Sequence, residues 1–200
     1  MKILETLRHK VDSALDRYLP DKGLFPKPIH QAMRYSVMAG GKRLRPILAL
    51  LCGRMLGARD AQIMPVACAL ELVHTYSLVH DDLPAMDDDD LRRGKPTCHK
   101  VFGEAVAILA GDALLTEAFR IMTEKGLRRG INPDIILDVI HDISVAAGSF
   151  GMVGGQVVDM ESEGMEIDLP TLEYLHTHKT GALILASVKG GARLGGGTEE

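Results

Sequence analysis

The stretch from Ala61 to His80 reads as one long apolar helix, in which Ala67, Leu70, Val73, His74, Ser77 and Leu78 recur at helical spacing, and it runs straight into the acidic segment DDLPAMDDDD. That junction constrains the chain more than any other feature. Asp81 and Asp82 stand at the C-terminal end of the helix, the negative pole of its dipole, where an anion is least welcome. Pro84 limits the helix there, because it disfavours the helical conformation at Leu83.

Six of the ten residues from Asp81 to Asp90 are aspartate, and Arg92, Arg93 and Lys95 follow within five residues. Carboxylates packed this densely repel one another and raise each other's pKa unless cations neutralise them. A solvated acidic loop is the plain reading of such a run. Its place at the end of an apolar helix argues against that, since a chain seeking only solubility has easier places for carboxylates. Hard divalent ions with oxygen ligands neutralise such a cluster best, and Mg²⁺ in particular takes one or two carboxylates together with substrate phosphates. The segment therefore reads as a metal-and-phosphate site.

Helical periodicity extends over nearly the whole chain, and no β-rich alternation competes with it. Leu4, Leu7, Val11, Ala14, Leu15 and Tyr18 form an amphipathic stripe that the Pro20 to Pro28 stretch breaks. Pro28 suits the first turn of a second helix that Gly40 and Gly41 end, and Pro46 opens a third that runs to about Gly57. Beyond the acidic loop, helices are predicted near Glu104 to Lys125, Asp134 to Ala147, Met152 to Glu161 and Pro170 to Lys189. Connections are short, so neighbouring helices should pack roughly antiparallel in a bundle. The tail GGARLGGGTEE reads as a connector, and Asp134, Asp138 and Asp142, at helical spacing, as a solvated face.

With 200 residues and 46% hydrophobic content the chain can bury one sizeable core, which predicts a single all-α domain. A net charge of −4 indicates no general affinity for nucleic acid. The cysteines Cys52, Cys68 and Cys98 are odd in number and lack CxxC spacing, so reduced thiols in a cytosolic protein are expected, with Cys52 and Cys68 in the core. No long apolar run occupies the first 20 residues, which predicts neither a signal peptide nor a membrane span there.

At GGKRLRP, Gly40 to Pro46, two glycines and three cations precede a helix. Flexible backbone lets the chain approach an anion closely, and Lys42, Arg43 and Arg45 could surround a diphosphate; a helix cap with surface cations is the alternative. A nucleotide-binding P-loop is excluded, because the GxxxxGK[ST] spacing is missing and no strand precedes. Together with the acidic run this makes two sites of opposite character, one for metal-bound phosphate and one for phosphate held by bare cations.

GGKRLRP, LVHDDLPAMDDDDLRRGKPTCH, AILAGDALLTEAF, GGQVVDM and HTHKTGALI resemble, in that order and along nearly the whole chain, the trans-prenyl diphosphate synthases. The pattern is most similar to bacterial members that make farnesyl diphosphate, with geranylgeranyl-producing members next. The resemblance implies a single all-α bundle around a deep apolar cavity, a cytoplasmic homodimer, and no stable membrane insertion. It also implies Mg²⁺ as cofactor, with isopentenyl diphosphate and an allylic diphosphate as substrates. By position, Asp81, Asp82 and Asp87 match the first aspartate-rich motif in its longer form, with Asp81 and Asp87 ligating the Mg²⁺ that bridges to the allylic diphosphate. Arg92 and Lys179 match cations holding that diphosphate, whereas Lys42, Arg45, His74 and Arg93 match the isopentenyl diphosphate pocket. Gln156 and Thr180 match polar groups near the allylic carbon, and Asp88 to Asp90 are expected to be solvated or to stand behind the ligands.

These residue types suit the implied chemistry. Mg²⁺ and preorganised cations stabilise charge on a departing diphosphate, and the π-bond of isopentenyl diphosphate captures the resulting allylic cation, so no protein nucleophile is needed. Tyr76 lies roughly 7.5 Å back along the helix from Asp81, where its ring could floor the cavity and stop the product at fifteen carbons. Tyr76 could equally pack in the core, and His74 could be a satisfied core histidine. One departure stands out: family members carry a second DDxxD motif on a later helix, and nothing between Asp112 and Glu200 matches it. A fragment lacking its C-terminal part is therefore expected. A non-catalytic partner subunit would have lost the aspartates and cations that this chain keeps, and a terpene cyclase would not need Lys42, Arg45 and Arg93.

Overall fold

The computed structural model describes residues 2–198. Among them the chain forms α1 (Lys2–Tyr18), α2 (Lys27–Val37), α3 (Leu44–Met55) and α4 (Asp60–Asp81), then a minimal antiparallel hairpin of β1 (Leu91–Arg92) and β2 (Lys95–Pro96). There follow α5 (Cys98–Phe102), α6 (Glu104–Arg128), α7 (Pro133–Ala147), α8 (Met152–Glu161), α9 (Leu169–Leu175), a π-helical turn at His176–Gly181, and α10 (Ala182–Leu194). The architecture is all-α, as the periodicity predicts. Local chemistry explains the boundaries: Pro28 sits in the first turn of α2, Asn132 caps α7 by accepting from the Asp134 N–H at 3.0 Å, and Asp168 caps α9 by accepting from the Thr171 N–H at 3.0 Å.

Helix α4 is the axis of the bundle. Every residue from Ile63 to Val73 is buried, and its neighbours are α6 on one side and α3, α10 and α1 on others. A helix apolar all round can be stable only when enclosed in this way. It and the Pro133–Glu161 stretch are long and apolar enough to cross a membrane by length and composition, but α4 is mostly buried inside the bundle, which is how a core helix behaves.

Four expectations need correction. The helix predicted from Pro170 to Lys189 is interrupted by the π turn, where Thr177 Oγ1 donates to Glu173 O (2.7 Å) and sits 3.0 Å from Tyr174 O, and the Tyr174 and His178 rings stack at 3.8 Å. These side chains occupy carbonyls that the widened ladder leaves free. The supposed connector GGARLGGGTEE begins as helix to Leu194: Gly191 is buried against the Ala49 backbone of α3 and Gly190 against Val66 and Val139, and Glu199 and Glu200 lie outside the described residues. Of the expected solvated face, Asp134 and Asp138 are exposed, but Asp142 is only 15% exposed and pairs with Arg193 of α10 at 2.8 Å, an arginine that also reaches Asp138 at 3.4 Å. Lastly, Cys52 is only half-buried, while Cys68 and Cys98 are buried; all three thiols are free. Burial pushes the Cys68 thiol up.

Candidate active site

The GGKRLRP turn divides its cations between two jobs. Arg43 has a left-handed backbone (φ 52°) and drives its side chain into the core, where it is 2% exposed. There Nε donates to Asp12 Oδ1 (2.8 Å), Nη1 to Glu71 Oε1 (2.7 Å) and Nη2 to Val37 O (2.7 Å). The expected cluster of Lys42, Arg43 and Arg45 is met in part: all three line one pocket, but the Arg43 guanidinium is spent on Glu71, whose carboxylate sits in the middle of α4 and could not be buried without a partner. Lys42 and Arg45 remain, and among the described residues no carboxylate is paired with either. Arg45 Nε is buried with no hydrogen-bond partner, and burial lowers its pKa against the opposing pull of Glu71.

Around these cations lies a basic pocket of about 610 Å³, to which Gly41, His74 and Arg93 contribute. Gly41 takes a φ of 137° that L side chains rarely adopt, and the Arg93 guanidinium would have to swing aside for a side chain there, its Nη1 lying 2.6 Å from the added Cβ. Burial, followed by the charges of Arg45 and Arg93, pushes the His74 imidazole down to about 3. His74 is therefore neutral at physiological pH, and its ring can offer one donor and one acceptor without adding to the positive charge.

The aspartate turn repeats this division. Asp82 is 4% exposed and accepts from Arg92 Nε at 2.6 Å, while Arg92 also reaches Asp89 at 3.2 Å. Asp82 and Arg92 are bound to each other and are not brought to the cavity described below. Asp81, the last residue of α4, makes no such pair. Burial pushes its carboxyl up to about 6, with Lys179 opposing the shift and Asp87 adding to it. The backbone N–H of Asp87 donates to Asp81 O at 2.8 Å, which folds the intervening residues into a loop and returns Asp87 to the side of Asp81. Asp88 takes a left-handed φ of 49°, and Asp90 pairs with Lys100 at 2.7 Å on the surface. Among the described residues no three His, Cys, Asp or Glu side chains converge on one point. Asp81 and Asp87 nonetheless fit Mg²⁺, which asks for one or two carboxylates and fills its remaining positions with phosphate and water oxygens.

Below Asp81 opens a largely apolar cavity of about 420 Å³, walled by α4 and α8 with Met86 at its rim. Tyr76 lines it one and a half turns down α4, 8% exposed, its ring edge-on to His80 at 5.8 Å. Gln156, Lys179 and Thr180 also line this cavity. Lys179 Nζ donates to the Asp159 carboxylate, and Gln156 Nε2 is buried without a partner. Their approach depends on Gly155, where a side chain would stand 2.4 Å from the Lys179 backbone nitrogen. The π turn is therefore part of the site: it presents Lys179 and Thr180 to the cavity at a point where α8 touches its backbone.

Arg45 and His74 line both the basic pocket and the apolar cavity, so the two spaces adjoin. Of the residues expected from sequence, Asp81, Tyr76, Gln156, Lys179 and Thr180 meet at the cavity; Lys42, Arg45, His74 and Arg93 meet at the pocket; Asp82 and Arg92 join neither polar surface freely. Three residues went unread. Glu71 was hidden in an apolar run, Asp159 stood in plain view within GGQVVDM, and Arg8, on α1, gave no signal because only tertiary packing brings it to the basic pocket.

Comparison with known proteins agrees with this geometry. The polyprenyl synthetase family matches residues 26–200. The chain is 53% identical over 195 residues to a farnesyl diphosphate synthase of Geobacillus stearothermophilus, covering 98% of this chain and 65% of that protein. It is 47% identical to the large subunit 1 of a heterodimeric geranylgeranyl pyrophosphate synthase of Arabidopsis thaliana, covering all of this chain and 54% of that one. A crystal structure of an FPP/GFPP synthase from Zymomonas mobilis superimposes with a TM-score of 0.92 at 39% identity, over 99% of this chain and 71% of that one. The chain thus spans less than two thirds of the length of these curated relatives.

Proposed function

The chain belongs to the polyprenyl synthetase family, and from that premise we propose that it is a Mg²⁺-dependent prenyltransferase joining isopentenyl diphosphate to an allylic diphosphate, with farnesyl diphosphate as product. One observation carries this reading: a cationic pocket and a largely apolar cavity that Asp81 lines share Arg45 and His74. Two diphosphates bound in such neighbouring spaces would bring the allylic carbon and the isopentenyl double bond together, and holding reactants in contact removes a large part of the barrier.

In this assignment Asp81 and Asp87 hold the metal, which when bound draws off the charge growing on the allylic diphosphate as its C–O bond breaks. Lys179 and Arg92 serve the same diphosphate, Lys179 on release from Asp159 and Arg92 while still held by Asp82. Gln156 and Thr180 face the allylic carbon with neutral dipoles, and the apolar wall keeps water from the cation. Lys42, Arg45, Arg93 and neutral His74 anchor isopentenyl diphosphate. Asp82 has a supporting part, orienting Arg92. Tyr76 floors the cavity and sets the fifteen-carbon limit. We place the protein in the cytosol as one all-α domain and as a homodimer; free thiols and the enclosure of α4 support the first.

A geranylgeranyl product is the second reading, favoured by the Arabidopsis relative. Incubation of the full-length protein with labelled isopentenyl diphosphate and each allylic primer, followed by measurement of product chain length, decides between them. Fifteen-carbon product that lengthens in Tyr76→Ala supports the assignment. A twenty-carbon product from the unaltered protein overturns the chain-length reading, and no condensation with any primer overturns the activity.

A further inference from the structure

We propose that Arg8 on α1 is a further ligand in the basic pocket for the diphosphate of isopentenyl diphosphate. The inference rests on reading that pocket as a diphosphate site, and it adds an element that none of the motifs contains. Arg8 lines the pocket together with Lys42, Arg45 and Arg93. Its placement follows from a tether one turn further along the same helix face. Asp12, at i+4 from Arg8, accepts from Arg43 Nε at 2.8 Å, and Arg43 is itself a residue of the cationic turn, locked by Glu71 and Val37 O. The buried arginine that cannot meet the anion thus holds the helix that brings another arginine to it.

Charge balance points the same way. Among the described residues no carboxylate pairs with Arg8, Lys42, Arg45 or Arg93, and the one carboxylate lining the pocket, Glu71, is occupied by Arg43. Four uncompensated cations around one space repel one another, and burial already depresses the pKa of Arg45 and Arg93. A polyanion relieves that repulsion, and an exposed, unpaired guanidinium can swing to it with a two-pronged contact.

The test is calorimetric titration of the protein with isopentenyl diphosphate in EDTA, where the metal-free aspartate turn repels the ligand and only the cationic pocket can hold it. Arg8→Gln is expected to raise Kd by roughly fivefold to tenfold, with Arg8→Lys staying within about threefold of the parent. Arg45→Gln serves as reference for the pocket, and unfolding curves confirm that each variant is folded. An unchanged Kd in Arg8→Gln beside a raised one in Arg45→Gln overturns the role of Arg8 alone. Unchanged Kd in both removes the pocket's assignment and Arg8 with it.

Discussion

The cationic turn at GGKRLRP and the acidic turn at DDLPAMDDDD have opposite charge and the same internal plan. Each commits some of its charged residues to pairs within the protein and, among the described residues, leaves others uncommitted. In the first, Arg43 is bound by Glu71 and Asp12 while Lys42 and Arg45 stay unpaired. In the second, Asp82 is bound by Arg92 while Asp81 stays unpaired. They differ in depth: the Arg43–Glu71 pair is fully buried, with side chains 1% and 3% exposed, whereas Arg92 is 31% exposed. Adjacent residues of one type therefore divide between fold and ligand according to which way the backbone turns them, and the depth of the committed pair decides whether losing it costs stability or merely loosens a loop.

The largest effect should come from breaking the deep pair. Arg43→Gln leaves Glu71 buried without its partner and should cost about 3–5 kcal/mol in denaturant unfolding, whereas Arg45→Gln, two residues on, should leave stability nearly unchanged. Comparable losses in both would erase the distinction between the two arginines.

Next is Asp81→Ala, expected to lower kcat by on the order of 10² to 10³, or about 2.7–4 kcal/mol, with helical content intact. Because burial already disfavours the charged Asp81 carboxylate, this variant should be no less stable than the parent. Near-normal turnover at saturating Mg²⁺ would sink the metal assignment.

Arg45→Gln should raise KM for isopentenyl diphosphate more than KM for the allylic primer, by about 1.5–3 kcal/mol of binding. Equal changes for both substrates would mean that the two cationic sets are not separate.

The smallest effect sharpens the role of depth. At the start of α4, Arg54 and then Lys10 pull the Asp60 carboxyl down to about 2 from an ordinary 3.8. A carboxyl depressed in the folded state stabilises above its unfolded pKa, and that contribution fades as pH falls from 3.8 towards 2. Since Lys10 is 49% exposed and solvent screens the pair, Asp60→Asn should cost only about 1 kcal/mol at pH 7 and almost nothing near pH 2. A loss of equal size at both pH values would show that Asp60 acts through something other than its charge.

Periodicity and punctuation settled the helices at the level of sequence: the stripe of Leu7, Val11 and Leu15, the proline at 28, and the apolar run ending at Asp81 report local preferences that survive in the folded chain. The motif residues were legible too, because Asp, Lys and Arg in dense clusters are hard to explain as surface. What each of them touches was not. The same aspartate type is a buried ion-pair partner at 82 and an uncommitted cavity carboxylate at 81, and the same arginine type is a core strut at 43 and an orphaned donor at 45. Side-chain direction depends on backbone dihedrals at single residues and on partners such as Asp12 and Glu71 that arrive from distant helices. The π turn at His176–Gly181, the close contact at Gly155 and the arrival of Arg8 at the basic pocket have the same origin. Each follows from helices pressing together in three dimensions, where the spacing of residues along the chain no longer measures the distance between them.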